Sequence, residues 1–253
     1  MRPKDTFATC TPAVETCVVL DRWLPASLSV VAGMVDVAGY MSLGHVFTAH
    51  ITGNLVVIAA DFVSHTPINP VQVIAIPVFV LAVAAVWMLA SAWGKDRANL
   101  LTLLLTLHFA LLAAVLLCAV STHSFSSPDD FTSGLTAMIA ISAMACQFAL
   151  PRLALPETPS TAVMTGNLTN AMLALLDLLA AKPITAAVRS KLLDSIYLIA
   201  GFIIGCLVAA AALPLLGDWI WSLPTVLAAA TTITIANLRP PGYEHDVQRQ
   251  SPL

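Results

Sequence analysis

The chain has 253 residues, of which 58% are hydrophobic and 10% charged, with a formal net charge of −3 at pH 7. Soluble domains carry about 25% charged residues, so most of this surface does not face water, and a soluble enzyme is excluded. No basic stripe runs through the sequence, which argues against a nucleic-acid partner.

In chain order, residues 1–24 read as a cytoplasmic N-terminal segment. Its first 22 residues lack a compact apolar core ending in small residues, so the first span is expected to stay in the mature protein. Near-continuous apolar runs follow at 25–44, 71–93, 99–121, 131–150, 192–216 and 219–237. Each approaches the roughly 20 apolar residues needed to cross a ~30 Å hydrocarbon layer. Two further segments, 45–63 and 160–180, start polar and turn apolar only after a Thr-Gly-Asn. The tail 239–253 is polar, proline-containing and expected to be mobile and cytoplasmic.

Charge placement orients these runs. Lys and Arg gather at Arg2, Lys4 and Arg22, at Lys95 and Arg97, at Lys182, Arg189 and Lys191, and at Arg239 and Arg249. The loops between, Asp61 to Pro70, Ser121 to Asp130 and Gly217 to Asp218, carry acids without Lys or Arg. The positive-inside rule puts the basic segments and both termini in the cytoplasm. That alternation closes only if 25–65 and 131–181 each cross an odd number of times, by one full span plus one re-entrant element.

Ile51-Thr52-Gly53-Asn54-Leu55 and Met164-Thr165-Gly166-Asn167-Leu168 match in type, and each follows a Thr at the same offset, Thr48 and Thr161. The chain therefore divides into three-span halves, 25–121 and 131–238, joined by an extracytoplasmic loop at 122–130. Three is odd, so the second half enters from the opposite side. The expected fold is an all-α polytopic membrane protein of about six transmembrane helices plus two short re-entrant or broken helices, in two inverted-topology halves. Such repeats place a working site near the midplane, where interrupted helices meet.

The stretch AGMVDVAGYMSLGHVFTAHITGN at 32–54, paired with CQFALPRLALPETPSTAVMTGNLTNAM at 146–172, resembles the two signatures of the YoaK-like family. The resemblance covers nearly the whole chain and implies a bacterial membrane protein of about six spans. It supplies fold and location rather than a reaction.

The triplets carry chemistry. Gly permits close backbone approach, Thr can cap free N–H groups, and Asn brings two donors and an acceptor. Free amides and the positive end of a helix dipole favour an anion or carbonyl oxygen. On this reading Thr52, Gly53, Asn54, Thr165, Gly166 and Asn167 line a central polar site; the alternative is that they bond to one another and join the halves. Asp36 lies inside the first span, where an ionised carboxylate costs at least ~2.5 kcal/mol. It is a candidate proton or cation carrier with Tyr40 one turn later as partner, or else a neutral group held by Asn54 or Gln147. Gln147 is its counterpart in the second half.

Other polar residues carry weaker readings. His108 reads as a packing residue or a relay, and Arg152 with Glu157 as an interfacial pair or a gate. Asp61 and Asp177 read as solvated segment ends. His45 and His50 are poorly spaced for a metal. Cys10, Cys17, Cys118, Cys146 and Cys206 are scattered, with no disulfide or zinc pattern. Gly201 and Gly205 form a small-residue face for close helix packing, within the fold or in a homodimer. No Ser/His pair, HExxH or paired-carboxylate motif marks an enzyme, and neither cofactor nor metal is expected. The expected function is an inner-membrane transporter or permease of a small molecule or ion, with the lipid bilayer as its other partner. A channel and a non-transporting scaffold or regulatory protein are the alternatives.

Overall fold

The computed structural model describes residues 22–93, 97–128, 130–155, 164–179 and 186–238. The polar tails, Lys95, Glu157, Lys182 and Thr161 lie outside them, so the gate pairing of Arg152 with Glu157 does too. The described chain is helical: α1 Leu24–Ser42, α2 Ile51–Ser64, α3 Pro70–Trp93, α4 Arg97–Thr122, α5 Phe131–Ala154, α6 Met164–Leu179, α7 Ala186–Leu216, a 3₁₀ turn Gly217–Trp221, and α8 Ser222–Asn237. The protein is an all-α polytopic membrane protein.

Among the described residues, five stretches are long and apolar enough to cross a membrane: Leu24–Ser42, Pro70–Trp93, Asn99–Thr122, Phe131–Ala154 and Val188–Asn237. The last has 50 residues, about 75 Å of helix at 1.5 Å per residue, more than twice the ~30 Å layer. It reverses at Gly217, whose φ of 53° is left-handed and suits glycine. Two boundaries differ from expectation. α5 continues through Pro151 to Ala154, and α7 starts at Ala186, so Arg189 and Lys191 lie inside its first turns rather than in a loop.

Inter-helix bonds fix the direction of each helix. Cys146 and His108 meet the Leu104 and Ala143 carbonyls, so α4 and α5 are antiparallel. Thr225 and Thr232 on α8 reach the carbonyls of Leu112 and Leu105, so α4 and α8 are antiparallel as well. Trp221 Nε1 donates to Ser42 Oγ (3.2 Å) while Ile235 clusters with Leu24 and Leu28, which sets α8 against α1. It follows that α1 runs with α4 and against α5. α7 runs parallel to α1: Ser29 donates to the Leu198 carbonyl (2.6 Å) and Cys206 Sγ lies near the Gly33 carbonyl (3.7 Å). α3 is parallel to α5, with Val71 beside Gly134 and Val86 and Ala90 clustered with Ala149 and Ala154.

Each half uses the same pairing plan. α1 packs on α7 as α5 packs on α3, α8 on α1 as α4 on α5, and α2 on α3 as α6 on α7. The short helices α2 and α6 are thus peripheral, each leaning on one long helix.

Glycine sets the closest approach. A Cβ on Gly205 would lie 2.2 Å from the Val30 carbonyl oxygen, one on Gly33 2.3 Å from that of Phe202, and one on Gly201 2.9 Å from that of Ala26. The Gly201–Gly205 face is therefore used within the fold, against α1, with Gly33 as its partner on the other side. Lipid supplies little drive for helix association, so this backbone contact is a main source of cohesion.

Gly205→Ala must separate two backbones, whereas Gly217→Ala meets nothing within 4 Å and bears only the left-handed backbone penalty, about 1–2 kcal/mol. Thermal unfolding in detergent should show a larger loss for Gly205→Ala, with monodisperse protein retained for Gly217→Ala.

Candidate functional site

α1 ends at Ser42, and the chain then doubles back. Gly44 and His45 both take left-handed backbone, with φ of 74° and 57°. The start of α3 clamps this turn: Asn69 Nδ2 donates to the Gly44 carbonyl (2.9 Å) and Gln72 Nε2 to that of His45 (3.1 Å). The returning segment meets α1 again at Asp36, six residues inside its end, about 9 Å along the helix.

Asp36 is 5% exposed. Its Oδ1 accepts the backbone N–H groups of Thr48 (3.0 Å), Ala49 (2.7 Å) and His50 (3.3 Å). Its Oδ2 meets Nδ1 of His50 in a short contact. Next to it Thr48 Oγ1 donates to the Val35 carbonyl, and Thr48 packs where a Cβ on Gly39 would collide. These amides belong to the N-cap His50 and the two residues ahead of it, so Asp36 anchors the approach to α2. The first turn of α2 has no side-chain cap: its N-cap is His50, the Gly53 N–H donates to the His50 carbonyl (2.8 Å), and Thr52 is exposed.

Asn54 is fully buried. Its Oδ1 accepts from the Phe47 N–H (2.9 Å) and its Nδ2 donates to the Phe47 carbonyl (2.8 Å). One amide thus satisfies both backbone groups of a loop residue. Gly53 completes the arrangement, since a Cβ there would lie 3.0 Å from the Phe47 ring. Tyr40 packs edge-on to His45 and tilted against Phe47, with centroids 4.9 and 5.0 Å apart. Asp36 is held by loop amides and His50 in place of the expected Tyr40, and Asn54 turns to Phe47 rather than to Asp36.

The second triplet opens α6 in the same register. Thr52, Gly53, Asn54 and Leu55 run exposed, half-buried, buried, exposed, and so do Thr165, Gly166, Asn167 and Leu168. Met164, Thr165 and Leu168 line a cleft of about 170 Å³ with Ile199, Phe202 and Ile203 of α7. Phe202 also stacks edge-on to His50, centroid to centroid 5.1 Å. The starts of α2 and α6 therefore share one aromatic neighbour. Gln147 lies elsewhere: it is fully buried and donates from Nε2 to the Leu28 carbonyl on α1 (2.8 Å).

Residues 24–234 match the family model described as "Protein of unknown function (DUF1275)". The chain belongs to this family. It is also similar to the UPF0700 transmembrane protein YoaK of Bacillus subtilis (strain 168), 64% identical over 31 residues that cover 12% of this chain and 14% of that protein. No solved structure matches.

In this DUF1275 protein the polar groups joined around Asp36 are the His50 ring, half-exposed at 39% of its side chain, and the amides of 48–50. A carboxylate and an imidazole in contact can exchange and hold a proton, and His50 is the member that reaches the surface. Asp61 accepts from Thr66 Oγ1 (2.8 Å) at the end of α2. Among the described residues no cluster of three His, Cys, Asp or Glu could hold a metal. Sequence reading missed Phe47, Phe202 and the pairing of His50 with Asp36. The signal for the last was present in Gly44, which lets the chain reverse after α1 and return a polar segment to it.

Asn54→Ala would leave the N–H and carbonyl of Phe47 without their partners, at about 1–3 kcal/mol for each group. Denaturant unfolding in detergent should show that loss.

Proposed function

We propose that this chain is an inner-membrane transporter of a small solute, built from two inverted three-span halves and coupled to protons through Asp36 and His50. The observation that carries this reading is the Asp36–His50 pair at the start of a broken helix. A carboxylate inside a span is costly, and this one contacts a half-exposed imidazole that touches Phe202, the neighbour of the second broken helix. The inverted arrangement is supported by α1 and α5 running in opposite directions and by the shared pairing plan of the halves. The solute site lies between the starts of α2 and α6, with His50, Thr165 and Phe202 at its edge. Both termini, 94–98 and 182–185 are cytoplasmic on this reading, in line with the positive-inside rule.

A scaffold is the second reading, and Asn54 favours it, since its amide is engaged by the loop beside it. Asp36→Asn separates the two. Its side-chain oxygen still accepts from the loop amides, but it carries no titratable proton. In liposomes with an entrapped pH dye, a transporter loses proton flux in Asp36→Asn while its unfolding midpoint stays near that of the wild type. Equal flux in both proteins, or collapse of the variant's fold, contradicts the coupling role.

Topology has its own check. Single cysteines at positions 66, 124 and 217 should react with an impermeant thiol reagent from outside intact cells, and those at 95, 184 and 240 only after permeabilisation. A pattern that places the starts of α1 and α5 on the same side would refute the inversion.

A further inference from the structure

His108 and Gln147 are sealed in the interior, 1% and 0% exposed, and neither takes part in the site at Asp36. His108 Nδ1 lies 3.0 Å from the Ala143 carbonyl oxygen. A carbonyl only accepts, so Nδ1 carries the hydrogen, and in the neutral ring Nε2 is left as an acceptor. The same logic fixes Gln147: its Nε2 donates to the Leu28 carbonyl (2.8 Å), which leaves Oε1 as an acceptor. Both His108 Nε2 and Gln147 Oε1 are buried without a hydrogen-bond partner. Ala143 and Gln147 are one turn apart on α5, where that helix is flanked by α4 and α1.

Two acceptors cannot satisfy each other. Each costs about 1–3 kcal/mol if left bare, and the neighbouring donors are engaged. Thr225 and Thr232 on α8 turn their hydroxyls to the Trp221 and Ala228 carbonyls of their own helix (2.7 and 2.8 Å), with the Leu112 and Leu105 carbonyls farther off (3.2 and 3.3 Å). Cys146 on α5 is turned to the Leu104 carbonyl. Asp36 on α1 is held by the loop amides and His50, and α8 carries no titratable side chain between Ser222 and Asn237.

We propose that His108 and Gln147 hold a buried water between α4, α5 and α1. A small donor with two hydrogens, of which water is the fitting chemistry, gives one O–H to Nε2 and one to Oε1. The site is separate from the Asp36–His50 pair and stands whether or not that pair couples transport.

The test is magic-angle-spinning NMR of ¹⁵N-histidine-labelled protein in lipid bilayers, with the His108 signals identified by their loss in His108→Phe. The expected spectrum at neutral pH shows the Nδ1-protonated tautomer and magnetisation transfer from water to the ring. Gln147→Leu should abolish the transfer while the tautomer persists. A ring that receives no magnetisation from water, or one protonated at Nε2 alone, overturns the proposal. So does transfer that is unchanged in Gln147→Leu. The wild-type measurement decides by itself if that variant does not fold.

Discussion

Backbone N–H groups inside a hydrocarbon layer have no water to turn to, and ahead of α2 one carboxylate answers that need. The segment before α2 exposes the amides of Thr48, Ala49 and His50, and all three point at Asp36. Irregular backbone survives at membrane depth only when protein or trapped water satisfies it. Asp36 ties the returning loop to α1, alongside Thr48 at the Val35 carbonyl and Gly39. The arrangement works in both directions, because the amides also stabilise the carboxylate against the cost of its own burial. Asn54 then does for Phe47 what Asp36 does for the three residues after it.

The two halves share a plan but not a chemistry. Counted back from Asn167 by the interval that separates Asp36 from Asn54, the matching position is Ala149, and the position matching His50 is Val163. The acid and the imidazole therefore belong to the first half alone. The second half contributes geometry: α7 is drawn against α1 through Gly33, Gly201 and Gly205, and that contact delivers Phe202 to His50 and to the start of α6.

Much of this was legible in the sequence because it depends on local pattern. Run length and charge spacing gave the long helices, and the Thr-Gly-Asn triplets marked the two short ones. The glycine pair at 201 and 205 pointed to close packing. What was not legible is long-range. Thr52 looked like a cap, yet it is exposed, and the segment ahead of α2 is tied to Asp36 across a reversal that depends on two left-handed residues and on Asn69 and Gln72 at the start of α3. Tyr40 looked like the natural partner of Asp36 by helical spacing, but the returning loop reaches the carboxylate first. Gln147 looked like the equivalent of Asp36, and it instead ties α5 to α1. Spacing within one helix could not reveal partners that only the fold brings together.

The central claim, that Asp36 holds the 48–50 amides inside the membrane, can be read from hydrogen exchange of the peptide spanning those residues. The protein would be held in lipid nanodiscs, as wild type and as Asp36→Ala. Slow exchange in the wild type and fast exchange confined to this peptide in the variant is the result the account requires. Equal exchange in the two proteins would mean that another group satisfies these amides, and the account would fail.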